Sequence, residues 1–194
     1  MAQYAFYFDS NKCSGCKTCQ VACKETYKLP VNNLYRKVLN YQGGTWELNE
    51  AGSYVPNGVF GYFVSMACNH CVDPACVANC PTGAMQKDEE TGIVWTDHEV
   101  CIGCKTCQTV CPYDAPTYDD EAGYMLKVRH VQGRAGSGRE QAPLRHRLPH
   151  ARARFRHARG HGGSLWSWRR EVEPLPVNST GPNLIVNPTA THRK

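Results

Sequence analysis

One cysteine motif limits what this chain can fold into. Cys101, Cys104, Cys107 and Cys111, followed by Pro112, form the pattern C-x2-C-x2-C-x3-C-P. In two-cluster ferredoxins the first three cysteines of this pattern hold one cubane iron–sulfur cluster, and the cysteine before proline binds the other cluster. The pattern therefore predicts a second, matching cysteine motif in the same chain.

Residues 68–81 contain that second motif, with the spacing C-x2-C-x4-C-x3-C-P. It has the same layout of three cysteines and a fourth before proline, with two extra residues in one loop. Together the two motifs predict two 4Fe–4S clusters with crossed ligand sets. The predicted ligands are Cys68, Cys71, Cys76 and Cys111 for one cluster, and Cys101, Cys104, Cys107 and Cys80 for the other.

A third cysteine run near the amino end repeats the pattern without the proline. Its members, all candidate cluster ligands, are Cys13, Cys16, Cys19 and Cys23. The hexapeptide Gly15–Gln20 recurs letter for letter at Gly103–Gln108, which marks an internal repeat. The sequence as written contains no crossing partner for this run. As the sequence is written, Cys13, Cys16 and Cys19 could hold at most a cluster with three cysteine ligands, and Cys23 would be left without a cluster.

Zinc and disulfides are the other chemistries open to these cysteines. Structural zinc sites usually combine C-x2-C pairs from two places and do not need a third cysteine two residues further on. Disulfides suit short secreted chains, but such tightly repeated cysteines are poorly placed for pairing, and we expect no secretory segment before them. His70 and His98 lie beside the motifs, and we expect neither to bind metal. Iron–sulfur clusters are the favoured prediction.

Composition favours a protein of a reducing compartment. All 12 cysteines of the 194-residue chain lie before residue 112, in blocks of four that suit metal clusters rather than extracellular bridges. No apolar run approaches the roughly 18 residues of a transmembrane helix, so we expect a soluble chain that joins a membrane only through a partner. Residues 127–170, here called the Arg-rich segment, hold 11 of the 13 arginines and one acidic residue, Glu140.

The predicted fold class is α+β, with tandem bacterial-ferredoxin-like 4Fe–4S modules, a hairpin insertion and an extended C-terminal tail. Tyr4–Asp9 and Val59–Met66 are predicted strands that lead into cysteine motifs. Gly43-Gly44 and Pro56–Gly58 indicate turns within the insertion. The predicted divisions are 1–24 for the first cysteine group, 25–58 for the insertion, 59–126 for the intact core, 127–170 for the Arg-rich segment and 171–194 for a partner-docking tail.

Three stretches carry a family resemblance. The first is the layout of the cysteine groups. The second is the sequence around the cysteines of residues 68–76, which reads Cys68-Asn69-His70-Cys71 and Asp73-Pro74-Ala75-Cys76, and the third is Pro182–Val186 near the carboxyl end. In these stretches the sequence resembles the dimethyl sulfoxide reductase B-chain family, the four-cluster iron–sulfur subunits of complex molybdopterin oxidoreductases. The resemblance covers residues 1–127 and resumes from about 171 to 190.

The resemblance implies a non-catalytic electron-transfer subunit in anaerobic respiration. Its implied partners are a molybdopterin catalytic subunit and a quinol-linked integral membrane anchor subunit, with no nucleic acid and no direct insertion into the membrane. The implied location is at the membrane through these partners, facing the periplasm by co-export with the catalytic subunit or, alternatively, on the cytoplasmic side.

The sequence departs from this family where its fourth cysteine group should begin, directly after Lys127. We interpret residues 128–170 as the product of a frameshift, in the gene or in its sequencing. Val128-Arg129-His130-Val131 can be encoded so that the next frame reads Cys-Asp-Met-Cys, and Leu144 and Leu148 likewise permit cysteine in that frame. The recovered pattern is C-x2-C-x12-C-x3-C-P, which would raise the expected number of clusters from two to four.

The Arg-rich segment as written leaves other interpretations open. Clustered arginines with Phe155, Trp166 and Trp168 suit a basic arm for nucleic acid or anionic lipid, whereas the low apolar content favours disorder. His146 or His150 as replacement cluster ligands is a further alternative. For the whole chain, the alternative functions are a free ferredoxin-type electron carrier and a zinc-binding adaptor with a basic nucleic-acid-binding arm.

Overall fold

Short helices and small sheets make up the described part of the chain. The computed structural model describes residues 4–128, 154–157, 180–182 and 184–187. In chain order the elements are β1 (Tyr4–Asp9), a 3-10 turn (Ser10–Lys12), α1 (Thr18–Tyr27), β2 (Arg36–Leu48), β3 (Tyr54–Ala67), α2 (Ala75–Ala78), β4 (Met85–Lys87), β5 (Val94–Thr96), α3 (Thr106–Thr109), β6 (Thr117–Asp119), β7 (Tyr124–Leu126), β8 (Arg154–His157) and β9 (Leu184–Asn187). Among these elements no helix is both long and apolar enough to cross a bilayer.

The two cysteine motifs of the core build the same local structure twice. Each motif contains a one-turn helix, α2 or α3, that carries its third cysteine, Cys76 or Cys107. A two-stranded antiparallel hairpin follows each helix, β4–β5 in one case and β6–β7 in the other. The helices α2 and α3 contact each other. This mixture of helices and short strands agrees with the predicted α+β class.

A long antiparallel hairpin of β2 and β3 precedes these two units. Its base is buried, with Val64 at 0% exposure, and its tip is exposed, with Trp46 at 63%. A bulge near Gly44 interrupts the register. β3 contains the predicted strand Val59–Met66, so the predicted boundary after residue 58 falls inside a strand. The strand is longer than predicted because β2 pairs with it along nearly its whole length.

β1 is the central strand of a three-stranded sheet that joins distant parts of the chain. It pairs antiparallel with β8 and parallel with β9. Leu184 and Val186 of β9 are buried in one apolar cluster with Phe8 of β1 and with Tyr62 and Val64 of β3. The amino end and the carboxyl-terminal tail therefore pack on each other and on the base of the hairpin.

This sheet includes residues of the Arg-rich segment and of the carboxyl-terminal tail. In the Arg-rich segment, for which the sequence predicts disorder, Arg154–His157 form β8, and Lys127 and Val128 are buried. The rest of that segment lies outside the described residues. In the tail, for which the sequence predicts docking on a partner, Leu184–Asn187 pair with β1 of the same chain; docking on a partner stays a prediction. Both segments supply hydrogen-bond partners to the two edges of β1, which would otherwise be left unpaired.

Three apolar clusters lie among the described residues, and each contacts or contains cysteine. Cys13 packs against the first cluster, while cysteines are buried members of the other two. The buried members are Phe8, Tyr62, Val64, Leu184 and Val186 in the first; Cys23, Leu29, Tyr35, Cys68, Leu126 and Val128 in the second; and Cys76, Met85, Val94, Cys107 and Met125 in the third. The hydrophobic core and the cysteine groups therefore share residues.

Gly103 and Gly83 offer a matched test of close packing beside the cysteines. Their φ angles are 67° and 68°, but a Cβ at Gly103 would collide with the carbonyl oxygen of Gly123, whereas one at Gly83 meets nothing within 4 Å. A left-handed backbone costs a non-glycine residue roughly 1–2 kcal/mol. We therefore expect Gly83→Ala to lose about that much stability, and Gly103→Ala to lose about 1–3 kcal/mol more because of overpacking.

Thermal unfolding of the full chain under anaerobic conditions, followed by circular dichroism, measures the effect of both substitutions. The midpoint of Gly103→Ala should lie below that of Gly83→Ala. Equal midpoints for the two variants would contradict the close approach to Gly123.

Candidate iron–sulfur centres

Cys71 lies in a group that combines cysteines from both core motifs. Burial raises the pKa of Cys71 to about 11; a hydrogen bond from Thr180 opposes this, and repulsion from Cys68, Cys111 and Cys76 adds to it. Burial also raises the pKa of Cys68, which in turn interacts with Cys76 and Cys111. Cys111 therefore lies near three cysteines that precede it by 35 residues or more in the sequence.

A second group surrounds Cys107 in α3. Burial raises the pKa of Cys107 to about 11, and repulsion from Cys76, Cys101 and Cys104 contributes to the rise. Cys104 is exposed and interacts with Cys80, which belongs to the other motif. The interaction between Cys76 and Cys107 makes the two groups neighbours. The structure thus brings together Cys68, Cys71, Cys76 and Cys111 in one group and Cys101, Cys104, Cys107 and Cys80 in the other.

Backbone donors point at sulfur atoms in the second group. Met85 N donates to Cys80 Sγ at 3.4 Å, and Met125 N donates to Cys101 Sγ at 3.5 Å. All 12 cysteines are free of disulfides. Hydrogen bonds of this kind favour sulfur that carries negative charge, as a cluster-bound cysteine does. The donor set therefore fits a 4Fe–4S cluster.

The described residues contain no three His, Cys, Asp or Glu side chains that converge closely enough to bind one metal ion. A single zinc ion holds its sulfur ligands about 2.3 Å from itself. A 4Fe–4S cluster instead takes one cysteine at each of its irons, so its ligands are spaced around a larger group.

The repeated hexapeptide adopts the same backbone in both copies. Gly15 and Gly103 have φ angles of 69° and 67°, and Lys17 and Lys105 have φ angles of 58° and 62°. A lysine in the left-handed region is uncommon, and here each one directly precedes a helix. The hydroxyl of Thr18 lies 3.3 Å from Cys16 Sγ in the first copy, and the hydroxyl of Thr106 lies 3.4 Å from Cys104 Sγ in the second. Identical sequences thus place their cysteines in equivalent surroundings.

The amino-terminal cysteine group lies beside a buried arginine. Cys19 Sγ is 3.2 Å from Ser65 Oγ, and Arg36 Nη1 donates to the same hydroxyl at 3.2 Å. Arg36 is 3% exposed and interacts electrostatically with Cys19 and Cys23. Cys13 in turn interacts with Cys19. The members of this group are Cys13, Cys16, Cys19 and Cys23.

The predicted partners of this amino-terminal group lie outside the described residues. This holds for His146 and His150, and for positions 131, 144 and 148, where the shifted frame would encode cysteines; the exception is the first shifted cysteine, which would fall at Val128.

The two histidines beside the motifs make other contacts. His70 is buried with a φ angle of 43°, and its Nδ1 accepts a hydrogen bond from Val94 N at 2.9 Å. This bond attaches the loop of the first group to β5. The ring of His98 stacks on Tyr124, with ring centroids 4.2 Å apart.

Three side chains near the cysteines were not predicted from the sequence. Lys127 Nζ is 3.2 Å from Cys76 Sγ, and Thr180 Oγ1 donates to Cys71 Sγ at 3.2 Å. Arg36 is the third. Lys127 and Thr180 are 51 and 109 residues away in the sequence from the cysteines they contact. No local pattern marks such residues, because their role depends on tertiary packing.

Known proteins match this chain over the same regions. A family model described as a 4Fe–4S dicluster domain matches residues 59–149, and one described as a 4Fe–4S binding domain matches residues 10–28. The B-chain of anaerobic dimethyl sulfoxide reductase from Haemophilus influenzae is 41% identical over 189 residues, which cover 97% of this chain and 90% of that protein.

Two further relatives show how far the similarity extends. The probable anaerobic dimethyl sulfoxide reductase chain YnfG of Escherichia coli K12 is 41% identical over 199 residues, covering 98% of this chain and 91% of that protein. The B-subunit of selenate reductase from Mesobacillus selenatarsenatis is 40% identical over 117 residues, covering 60% of this chain and 36% of the relative.

The fold, the cysteine groups and the matched domains define an iron–sulfur electron-transfer subunit of an oxidoreductase, with ferredoxin-like domains and 4Fe–4S clusters as cofactors. Two kinds of evidence, near-complete coverage and 41% identity, then establish the family. This chain is a member of the dimethyl sulfoxide reductase B-chain family, which confirms the resemblance seen in the sequence.

Cys104 and Cys107 are expected to react at different rates once the clusters are removed by chelation. Hydrogen bonds from Thr106 lower the pKa of the exposed Cys104, whereas burial raises the pKa of Cys107 to about 11. Because the thiolate is the nucleophile, iodoacetamide at pH 8 should modify Cys104 at least about tenfold faster than Cys107.

Mass spectrometry of the full chain at successive times measures both alkylation rates. Thr106→Val should slow the reaction of Cys104 and leave Cys107 unchanged. Equal alkylation rates for the two cysteines in the unsubstituted chain would contradict the exposure of Cys104 and the burial of Cys107.

Proposed function

We propose that this chain carries electrons from a quinol-linked membrane anchor subunit to a molybdopterin catalytic subunit of the dimethyl sulfoxide reductase type. The observation that carries the proposal is the proximity of two crossed cysteine groups, with Cys76 of one interacting with Cys107 of the other. Clusters held by neighbouring groups suit the passage of single electrons from one to the next. The relatives are named as single chains or subunits of reductases, which supports a place for this chain within a larger reductase.

The proposed ligands are the crossed sets that the spacing predicts. Cys68, Cys71, Cys76 and Cys111 would hold one cluster, and Cys101, Cys104, Cys107 and Cys80 the other. When bound, each 4Fe–4S cluster supplies a one-electron redox centre. The chain itself contributes thiolate ligation, burial and hydrogen bonds to sulfur, such as the one from Met125 N to Cys101.

The amino-terminal group is proposed to hold a further cluster. Cys13, Cys16 and Cys19 share one neighbourhood, and the buried Arg36 supplies positive charge beside it. A complete ligand set requires the cysteines that the shifted frame would encode after Lys127. We therefore propose that the frame changes there and that the native protein binds four clusters.

Sequencing the gene from the source strain across the codons for residues 120–175 tests the frame. A one-base change that restores C-x2-C-x12-C-x3-C-P would establish the four-cluster form. A confirmed reading frame would instead leave two complete cysteine groups, and the number of irons in the purified chain should then approach eight rather than sixteen, roughly four for each cluster.

Membrane association is proposed to occur through the anchor subunit, with the chain facing the periplasm by co-export with the catalytic subunit. Protease treatment of spheroplasts tests the side: a periplasmic chain is degraded, and a cytoplasmic chain survives until the cells are lysed. Survival of the chain in intact spheroplasts would reject the periplasmic location and leave the electron-transfer role unaffected.

Affinity purification from anaerobically grown source cells tests the partners. A tagged chain should bring down a large molybdenum-containing subunit and an integral membrane subunit in equal amounts. In membranes holding this complex, a quinol analogue should reduce the iron–sulfur signals, and a sulfoxide should reoxidise them. A chain that purifies alone yet is reduced and reoxidised reversibly would support the free-carrier function instead.

Exchange of the crossing cysteines for serine tests the ligand sets. Cys111→Ser should abolish the same electron paramagnetic resonance signal as Cys71→Ser, although the two residues lie in different motifs. Cys80→Ser should likewise abolish the signal that depends on Cys104. Each loss should remove roughly four irons per chain. If Cys111→Ser instead abolishes the signal of its own motif, the crossed assignment is wrong.

A further inference from the structure

Lys127 places a buried positive charge against the first cysteine group. The residue is 4% exposed, and its Nζ lies 3.2 Å from Cys76 Sγ and 3.9 Å from Met85 Sδ. It follows β7 directly, so its backbone position is set by the hairpin that packs on the core. The side chain of Lys127 is therefore packed within the protein, and this packing keeps its ammonium group beside the sulfur of Cys76.

No carboxylate balances this charge among the residues that the structure describes. The ion pairs found there join Lys12 to Asp9 and Lys37 to Asp114, and neither involves Lys127. A buried ammonium without a counter-ion is strongly unfavourable, so buried charges are normally paired. The groups that interact with Lys127 are the sulfurs of Cys68, Cys76 and Cys111, together with that of Cys107 in the neighbouring group.

These sulfurs become a negatively charged site when a cluster is bound. We propose that Lys127 is the counter-ion of the cluster held by Cys68, Cys71, Cys76 and Cys111, and that its charge raises the reduction potential of that cluster. The inference rests on the ligand set proposed above. It assigns Lys127 a positioning and tuning role; the side chain itself exchanges neither electrons nor protons.

The direction of the effect follows from charge alone. Reduction adds one electron to the site and makes it more negative by one unit, while Lys127 keeps its proton. A fixed cation in surroundings of low dielectric stabilises the more negative state more than the less negative one. Loss of the cation must therefore make reduction harder. The cluster of Cys107 should respond less, and the amino-terminal group least, because no interaction joins it to Lys127 in the described residues.

Three substitutions separate the charge of Lys127 from its volume. Lys127→Met removes the charge and keeps an unbranched side chain, Lys127→Gln removes the charge and keeps a hydrogen-bond donor, and Lys127→Arg keeps the charge. Lys28→Met is the matched control, because Lys28 is an exposed lysine whose charge is screened by solvent and salt. Iron and acid-labile sulfide are measured in each full-length protein to verify cluster content.

The measurement is an anaerobic redox titration followed by electron paramagnetic resonance, with dithionite as the reductant. At fixed ambient potential, Lys127→Met and Lys127→Gln should lower the ratio of reduced to oxidised cluster at least about tenfold, which corresponds to about 59 mV for a one-electron couple. The midpoint potential of Lys127→Arg should be closer to that of the unsubstituted chain than the midpoint of either neutral variant. The midpoint of Lys28→Met should equal that of the unsubstituted chain. The shift should persist at high salt, because a buried pair is screened little.

The results for these variants either support or overturn the counter-ion role of Lys127. Unchanged midpoints in neutral variants that retain full iron content would overturn the role of Lys127 while leaving the electron-transfer function intact. Equal midpoints for the glutamine and arginine variants would do the same. Loss of the cluster from both neutral variants, with retention in Lys127→Arg, would support the counter-ion. A chain that binds no cluster at Cys68, Cys71, Cys76 and Cys111 even without substitution would overturn the proposed ligand set and this inference with it.

Discussion

The proposed exchange of Cys80 and Cys111 between the two cysteine groups is the constraint on which the two proposed cluster sites depend. In the structure, Cys111 interacts with cysteines of the first motif, Cys80 interacts with Cys104 of the second, and the helices α2 and α3 contact each other. The apolar cluster that contains Cys76 and Cys107 lies between them and is completed by residues of β4, β5 and β7. Cys76 and Cys107 thus belong to the apolar core as well as to the proposed ligand sets, so we expect the stability of such a small domain to depend on its metal content.

The carboxyl-terminal tail extends this arrangement from a distant part of the chain. Pairing of β9 with β1 brings the preceding residues against the loop of the first group, where Val72 N donates to Gly181 O at 2.9 Å and Asp73 N donates to Thr180 O at 3.2 Å. The hydroxyl of Thr180 then reaches Cys71 Sγ. The tail thus contributes both a strand to the sheet and a hydrogen bond to a cysteine of the first group.

Two buried, positively charged side chains lie beside the cysteine groups. Arg36 lies beside Cys19 and Cys23, and Lys127 lies beside Cys76, with no carboxylate paired to either among the described residues. Lys127 contacts sulfur directly, whereas Arg36 donates hydrogen bonds to Ser65 and interacts electrostatically with its two cysteines. Such an arrangement suits a site that becomes anionic when clusters bind, and it is consistent with 4Fe–4S clusters as the cofactors of this family.

The sequence by itself determined the cofactor class, the family and the repeated local geometry. Spacing within a few residues is a local property, so C-x2-C-x2-C-x3-C-P identifies the cofactor, and identical hexapeptides produce the same left-handed Lys17 and Lys105. Tertiary structure decided the contacts of Lys127 and Thr180, the pairing of β9 with β1, and the full length of β3. These depend on which distant segments bury apolar surface and satisfy backbone hydrogen bonds together, and no pattern within one segment carries that information.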